Sequence, residues 1–226
     1  MFERYAVYYT PESAAPLAVF GAAWLGWDSA TAAAQPHPDV ADLDVPAITD
    51  TPRKYGLHGT IKPPFRLAEG QSADALNGAL AGLCARLAPV TLSGLDLARL
   101  GRFLALVPSG DASDLADLAA TVVRDLDGFR APATDAELAK RRAAGLSPEQ
   151  DAHLVRWGYP YVLDQFRFHL TLSGKLEKPT AAATEQALTR LLADIPLAPY
   201  HIDGLTLLGE DADGRFHQIQ RYALTG

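Results

Sequence analysis

The sequence predicts an α+β protein built from two duplicated β-α-β-α-β units, related by pseudo-twofold symmetry around a central cleft. Three observations carry that expectation. Residues 55–65 and 166–175 both alternate with period two, and each contains the tripeptide His-x-Thr. Apolar residues at helical spacing recur between the strand-like stretches. Corresponding landmarks recur at nearly one interval: His58 and His169 lie 111 positions apart, Gly94 and Gly204 110 apart.

Taken in order, residues 4–9 are aromatic and β-branched and run into Thr10-Pro11, which predicts a strand. Ser13 is placed to cap a helix that Leu17, Val19, Phe20, Trp24 and Leu25 carry to about Trp27. From 28 to 53 Ala, Pro, Asp and Thr dominate, and Pro36, Pro38, Pro46 and Pro52 interrupt any period. A long loop is expected there, able to wall or cover a site. The first His-x-Thr strand follows and is expected to end at Pro63-Pro64. Ser72 opens a helix through Leu76, Leu80, Leu83 and Leu87, closed by Pro89. Residues 90–97 and 102–107 predict neighbouring strands, and 114–126 a helix. Two more polar helices, 134–144 and 148–157, meet at Gly145. The second His-x-Thr strand, a helix over 181–195 and strands at 200–208 and 216–224 complete the chain. The repeats, roughly 4–98 and 102–208 with a final strand at 215–224, read as the lobes of one bilobal domain spanning 1–226.

Composition narrows the classes of function. A chain of 226 residues with 48% hydrophobic residues is long enough to bury a sizeable core. The first ten residues lack a basic region followed by an apolar run, and no later stretch reaches the roughly 18 apolar residues needed to cross a bilayer. A cytoplasmic protein without a membrane partner is expected. The single cysteine, Cys84, excludes an internal disulfide framework and a Cys-based zinc site. A net charge of −7 and a pI near 5.3 argue against a long footprint on nucleic acid, while leaving room for a small phosphate compound in a locally basic cleft.

The chemistry lies on the polar faces of the two strands. Phe166, Phe168, Leu170 and Leu172 share one face, and Arg167, His169, Thr171, Ser173 and Lys175 the other. In the first stretch Leu57, Gly59 and Ile61 oppose His58, Thr60 and Lys62. Imidazole, hydroxyls and cations with no carboxylate suit an anionic ligand. Breaking a phosphodiester without a metal needs one group to deprotonate the nucleophile and another to protonate the leaving oxygen, and two imidazoles near neutrality can divide those roles. Thr60 and Thr171 can donate to phosphoryl oxygens, and Lys62 and Lys175 can offset developing charge. Arg53, Tyr55, Arg141, Tyr159 and Tyr161 are candidates for a substrate-specific wall, since Arg recognises phosphate bidentately and Tyr stacks on rings. His37, His153, His201 and His217 have no partner at metal-ligand spacing, so no metal or cofactor is expected.

These residues resemble the two-histidine (2H) phosphoesterase superfamily, which includes RNA ligase-like cyclic phosphodiesterases. Residues 53–65 and 166–172, with 129–132, 141–146 and 156–161, are more narrowly similar to its phosphonate-metabolism-associated branch, over nearly the whole chain. The resemblance implies a bilobal α+β fold, no obligatory metal, hydrolysis of a small cyclic or 2′,5′-type phosphodiester, and catalytic roles for His58, Thr60, His169 and Thr171. The branch implies a ribose-phosphate or related intermediate of phosphonate breakdown. Gly59 stands where that branch leads one to expect Ala. Two rival readings remain: a non-catalytic phosphate-ligand or RNA-binding module with the same fold, and a metal-dependent hydrolase using both histidines with a carboxylate.

Overall fold

The computed structural model describes residues 2–226, with Met1 outside them. Strand β1 (Arg4–Tyr9) is followed by helix α1 (Pro16–Leu25). Ser13 does not cap this helix; Pro occupies its first turn, where the missing N–H costs nothing, and Gly26 ends it at φ 75° with its N–H on the Ala22 carbonyl. The stretch read as a long loop is structured. A short hairpin, β2 (Trp27–Asp28) with β3 (Ala33–Ala34), leads to helix α2 (Val45–Arg53). The sequence misleads because Pro46 is tolerated in the first turn, Pro52 falls in the last, and the Asp44 side chain accepts the Ala47 N–H at 3.0 Å.

Strand β4 (Gly59–Phe65) continues through Pro63 and Pro64 instead of stopping before them. Ser72 caps α3 (Ala73–Cys84) as expected, by accepting the Ala75 N–H. Strands β5 (Val90–Leu92), β6 (Gly94–Leu100) and β7 (Phe103–Ser109) follow, β6 and β7 forming a hairpin that turns at Gly101, φ 62°. Helix α4 (Ser113–Asp125) precedes α5 (Asp135–Arg142) and α6 (Pro148–Trp157), both opened by capping boxes. The second His-x-Thr stretch is a much shorter strand than predicted: only β8 (Leu170–Thr171) is laddered. Helix α7 (Lys178–Leu191) and strands β9 (Tyr200–Ile202), β10 (Gly204–Glu210) and β11 (Phe216–Ala223) close the chain.

The main sheet has the order β11-β10-β1-β4-β8-β7-β6 and is antiparallel throughout. The α+β class read from the sequence is the one observed. Under the sequence repeat β1 corresponds to β7, β4 to β8 and β6 to β10, so the run β10-β1-β4-β8-β7-β6 reads the same from either end. The halves of the sheet are not the halves of the chain. The last strand of each repeat hydrogen-bonds to the first strand of the other lobe: β10 to β1 and β6 to β7.

The two sides of the sheet differ in what covers them. Tyr5, Val7, Tyr9, Ile61, Leu104, Leu106, Leu205 and Leu207 belong to the large core with Leu76, Leu80, Leu115 and Leu188 of the helices. Each such buried side chain contributes about 1.5–3 kcal/mol by leaving water. On the other side a small cluster of Ala6, Tyr8, Leu208 and Phe216 packs only against Tyr55. That side carries the cleft. No helix among the described residues is long and apolar enough to cross a membrane.

Candidate active site

The two His-x-Thr stretches meet at one pair of residues. Gly59 on β4 pairs with Leu170 on β8, antiparallel, which sets His58 opposite Thr171 and Thr60 opposite His169 in the register. Directly opposed residues project to the same side of a sheet, so the four side chains share the open face. Gly59 lets the strands meet. A Cβ there would stand 2.3 Å from the ring of buried Phe168 on the covered side.

Both imidazoles are held alike. His58 Nδ1 lies 3.0 Å from the Gly56 carbonyl and His169 Nδ1 lies 2.8 Å from the Arg167 carbonyl, each two residues back along the chain and just ahead of its strand. A carbonyl only accepts, so Nδ1 carries the hydrogen in both rings and Nε2 is left for chemistry. His58 is the more enclosed, stacked on Tyr8 at 4.0 Å between ring centres and flanked by Tyr55 at 5.4 Å. Burial pushes its pKa down to about 4, with His169 acting in the same direction and the Gly56 carbonyl opposing. His169 is half-buried and packs its ring against Phe103 at 5.8 Å.

A cleft of about 350 Å³ opens over this floor, with His58, Thr60 and Thr171 in its lining. His169 is not in contact with the cavity as it stands but adjoins two residues that are, Phe103 and, across the register, Thr60. Of the residues expected to form the wall, Tyr55, Arg141 and Tyr159 line the cleft, as does Lys175, expected to offset developing charge. Arg141 lies 4.8 Å over the Tyr159 ring. Tyr161 meets Tyr159 edge-on and faces a neighbouring cavity instead.

Two expectations fail for identifiable reasons. Lys62 is not in the cleft. Tyr8 pairs with Thr60 but Val7 pairs with Lys62, a register shift that places Lys62 beside Val7 on the covered face. Its side chain is buried, with Nζ 3.1 Å from the Val123 carbonyl and 3.7 Å from Asp127. Burial lowers its pKa to about 8 against the pull of Asp127. Arg53 is also turned away: its guanidinium donates to the Leu25 and Pro46 carbonyls and to Thr49, bracing α2 against α1.

The structure adds residues the sequence reading passed over. Arg4 and Tyr8 line the cleft from β1, with Arg4 held by two hydrogen bonds to buried Glu210. Their signal was available, because Arg4, Ala6 and Tyr8 alternate on one face of a predicted strand. Thr51 and Pro52 of α2 also line the cleft, so the segment expected to be a loop supplies a helical wall. Ser173 is satisfied by backbone, accepting the Leu104 N–H and donating to the Gly174 carbonyl. Among the described residues no three His, Cys, Asp or Glu side chains gather as metal ligands would.

Comparison with known proteins gives a family and relatives. Residues 60–217 match the family described as Protein of unknown function (DUF1045). The chain is 38% identical over 239 residues to a protein named ribose 1,5-bisphosphate phosphokinase PhnN from Janthinobacterium sp. (strain Marseille), covering 99% of this chain and 51% of that protein. A protein of the same name from Laribacter hongkongensis (strain HLHK9) is 35% identical, over 96% of this chain and 51% of its own length. The chain thus spans about half the length of the curated relatives it matches. Among solved structures, E. coli LigT complexed with 3′-AMP superposes with a TM-score of 0.47 at 18% identity, over the full length of both chains.

Proposed function

We propose that this chain, which belongs to the DUF1045 family, is a cytoplasmic, metal-independent 2H-type phosphoesterase that hydrolyses a small cyclic or 2′,5′-type phosphodiester. The observation that carries the reading is the antiparallel register that sets each histidine opposite the other strand's threonine, with both Nδ1 atoms tied to carbonyls. That register puts the four side chains on one side of the sheet and leaves both Nε2 atoms without a protein partner among the described residues.

The step is an in-line displacement at phosphorus. Water attacks, its proton passing to Nε2 of His58, which enclosure keeps neutral at pH 7. The new P–O bond forms as the bond to the leaving oxygen breaks, and Nε2–H of protonated His169 gives its proton to that oxygen. Protons then re-equilibrate with solvent, so the net reaction consumes one water. Thr60 and Thr171 donate to the non-bridging oxygens, and Lys175 supplies the positive charge that Lys62 does not. Each proton-transfer group contributes roughly 10² to 10⁴ in rate.

The name of the curated relatives supports a ribose phosphate as the substrate class. Their kinase activity is not carried over, because this chain has no Gly-x-x-x-x-Gly-Lys-Ser/Thr loop to hold a nucleotide triphosphate. The test is hydrolysis of cyclic phosphodiesters, from 2′,3′-cyclic nucleotides to cyclic ribose phosphates, with EDTA present. Turnover by wild type and its loss in His58→Ala and in His169→Ala is the expected result. Metal-restored activity after EDTA treatment would move the assignment to the metal-dependent hydrolase. A wild type that binds these compounds and cleaves none would move it to a binding module.

A further inference from the structure

The phosphodiester cleft continues into a second cavity of about 520 Å³ beneath the insert that carries α5 and α6. Arg4, Tyr55, Pro64 and Arg141 line both, so the two are adjoining compartments of one groove. In a chain of net charge −7 the second cavity has six basic side chains in its lining and one carboxylate, Glu137. Three of the six are spoken for. Glu210 holds Arg4, Glu137 holds Arg66, and Asp127 holds Arg130. Lys54, Lys140 and Arg141 have no ion pair among the described residues; Lys54 and Arg141 each lie 4.8 Å over a ring, of Tyr55 and Tyr159, and no carboxylate offsets their charge.

An ordinary explanation for the cations of α5 is that they sit in its last turn, where they favour the negative end of the helix dipole. It accounts equally for Lys140, Arg141 and Arg142. It does not account for their division: Arg142 turns outward to Asp151 at 2.6 Å, whereas Lys140 and Arg141 line the cavity unpaired, joined there by Lys54 from the end of α2. Tyr161 lends the same cavity an exposed ring.

Resting on the phosphoesterase reading above, we propose that this cavity is a subsite for a second, non-reacting phosphate on the same substrate. The preferred substrate is then a sugar or nucleoside cyclic phosphodiester with a separate phosphomonoester, its diester over His58 and His169 and its monoester among Lys54, Lys140 and Arg141. A phosphomonoester carries close to two negative charges at pH 7, and its three oxygens match a set of cations better than a neutral hydroxyl does.

The test compares two ribose cyclic phosphodiesters that differ only by a phosphate on O5. Wild type is expected to favour the phosphorylated one about 10- to 100-fold in kcat/KM, since each charge-assisted contact changes affinity by roughly tenfold. The Lys54→Gln/Lys140→Gln variant should lose most of that preference, with kcat/KM for the unphosphorylated compound held within about twofold because neither lysine lines the diester cleft. Calorimetric binding of ribose 1,5-bisphosphate against ribose 1-phosphate gives a readout without turnover. The bisphosphate should bind at least about tenfold tighter to wild type and not to the double variant. Equal use and equal binding of the paired compounds by wild type, or a preference that survives in the variant, overturns the subsite. If no diester is cleaved but the binding difference is present, the subsite stands and the phosphoesterase reading falls; hydrolysis without preference gives the reverse.

Discussion

The enclosure of His58 sets where activity should fail in acid. Its pKa, pushed down to about 4, leaves only about one ring in 10³ protonated at pH 7, so a base at this position is almost entirely in its unprotonated form there. Hydrolytic kcat/KM should hold as pH falls through 6.5, where an exposed imidazole titrates, and drop through about 4. The cause is packing by Tyr8 and Tyr55, and Tyr55 is the one that can be removed without opening the sheet. Tyr55→Ala admits water to the ring and moves the limb toward 6.5. In the fully hydrated limit the neutral fraction at pH 5 falls from about 0.9 to about 0.03, a loss of roughly 30-fold in the ratio of kcat/KM at pH 5 to that at pH 8. The assay is a pH–rate profile on both proteins. A wild-type acid limb centred near 6.5, or one that Tyr55→Ala leaves in place, refutes the assignment of His58 as the enclosed neutral base. The same shift acts on stability. With the folded pKa below the unfolded one, the folded state binds fewer protons, so stability is full above about 6.5 and declines as pH falls toward 4. His58→Gln should remove that part of the slope in chemical denaturation.

Two further predictions concern the frame around the site. Gly59→Ala puts a methyl 2.3 Å from the Phe168 ring at the one pair joining β4 to β8; it should cost about 1–3 kcal/mol in urea denaturation and displace the Phe168 ring resonances, and a silent substitution would contradict the packing described. Asp127 is met by Lys62 at 3.7 Å, Arg130 at 2.8 Å and Arg156 at 3.2 Å. Asp127→Ala should therefore cost about 3–5 kcal/mol by stranding a buried ammonium, whereas Lys62→Met should cost little or stabilise; equal losses in thermal unfolding would contradict this account.

What the sequence reveals and what it hides follow from the range of the interactions involved. Strand and helix positions were legible wherever period and caps were local, as with the Ser72 cap of α3. Helix α2 was hidden because proline statistics do not say whether a proline falls in a helix's first turn, where it is harmless. That His58, Thr60, His169 and Thr171 come together was readable because the pattern occurs twice, and the Gly59–Leu170 pair joins the two copies. Lys62 was misplaced because simple alternation assumes no bulge, and the bulge between Thr60 and Lys62 is set by pairing with β1, more than fifty residues away in sequence. Likewise β8 is short since its ladder depends on neighbours: β4 bulges away beyond Thr60, and Pro63 and Pro64 have no N–H to offer.

The exchange of strands between repeats explains why the two motifs can face each other so symmetrically. The pseudo-twofold axis passes between Gly59 and Leu170, equivalent positions of the two repeats that pair with one another. A second self-equivalent pair lies in the small β5-β9 ladder, where Thr91 meets His201 between the flanking pairs Val90 with Ile202 and Leu92 with Tyr200. Two points define a line, so the axis is fixed once in the main sheet and once outside it. Just beyond β5 and β9 the two chain segments leave this ladder for the main sheet, β6 pairing with β7 and β10 with β1. Each lobe is thus completed by a strand from the other repeat, and neither repeat alone can complete the sheet that supports its own histidine. A change of angle between the lobes must strain the β5-β9 ladder and both crossovers together. The separation of the two histidines is consequently a property of the whole core, which is the condition that the proposed acid–base pair needs to remain in step with one phosphorus atom.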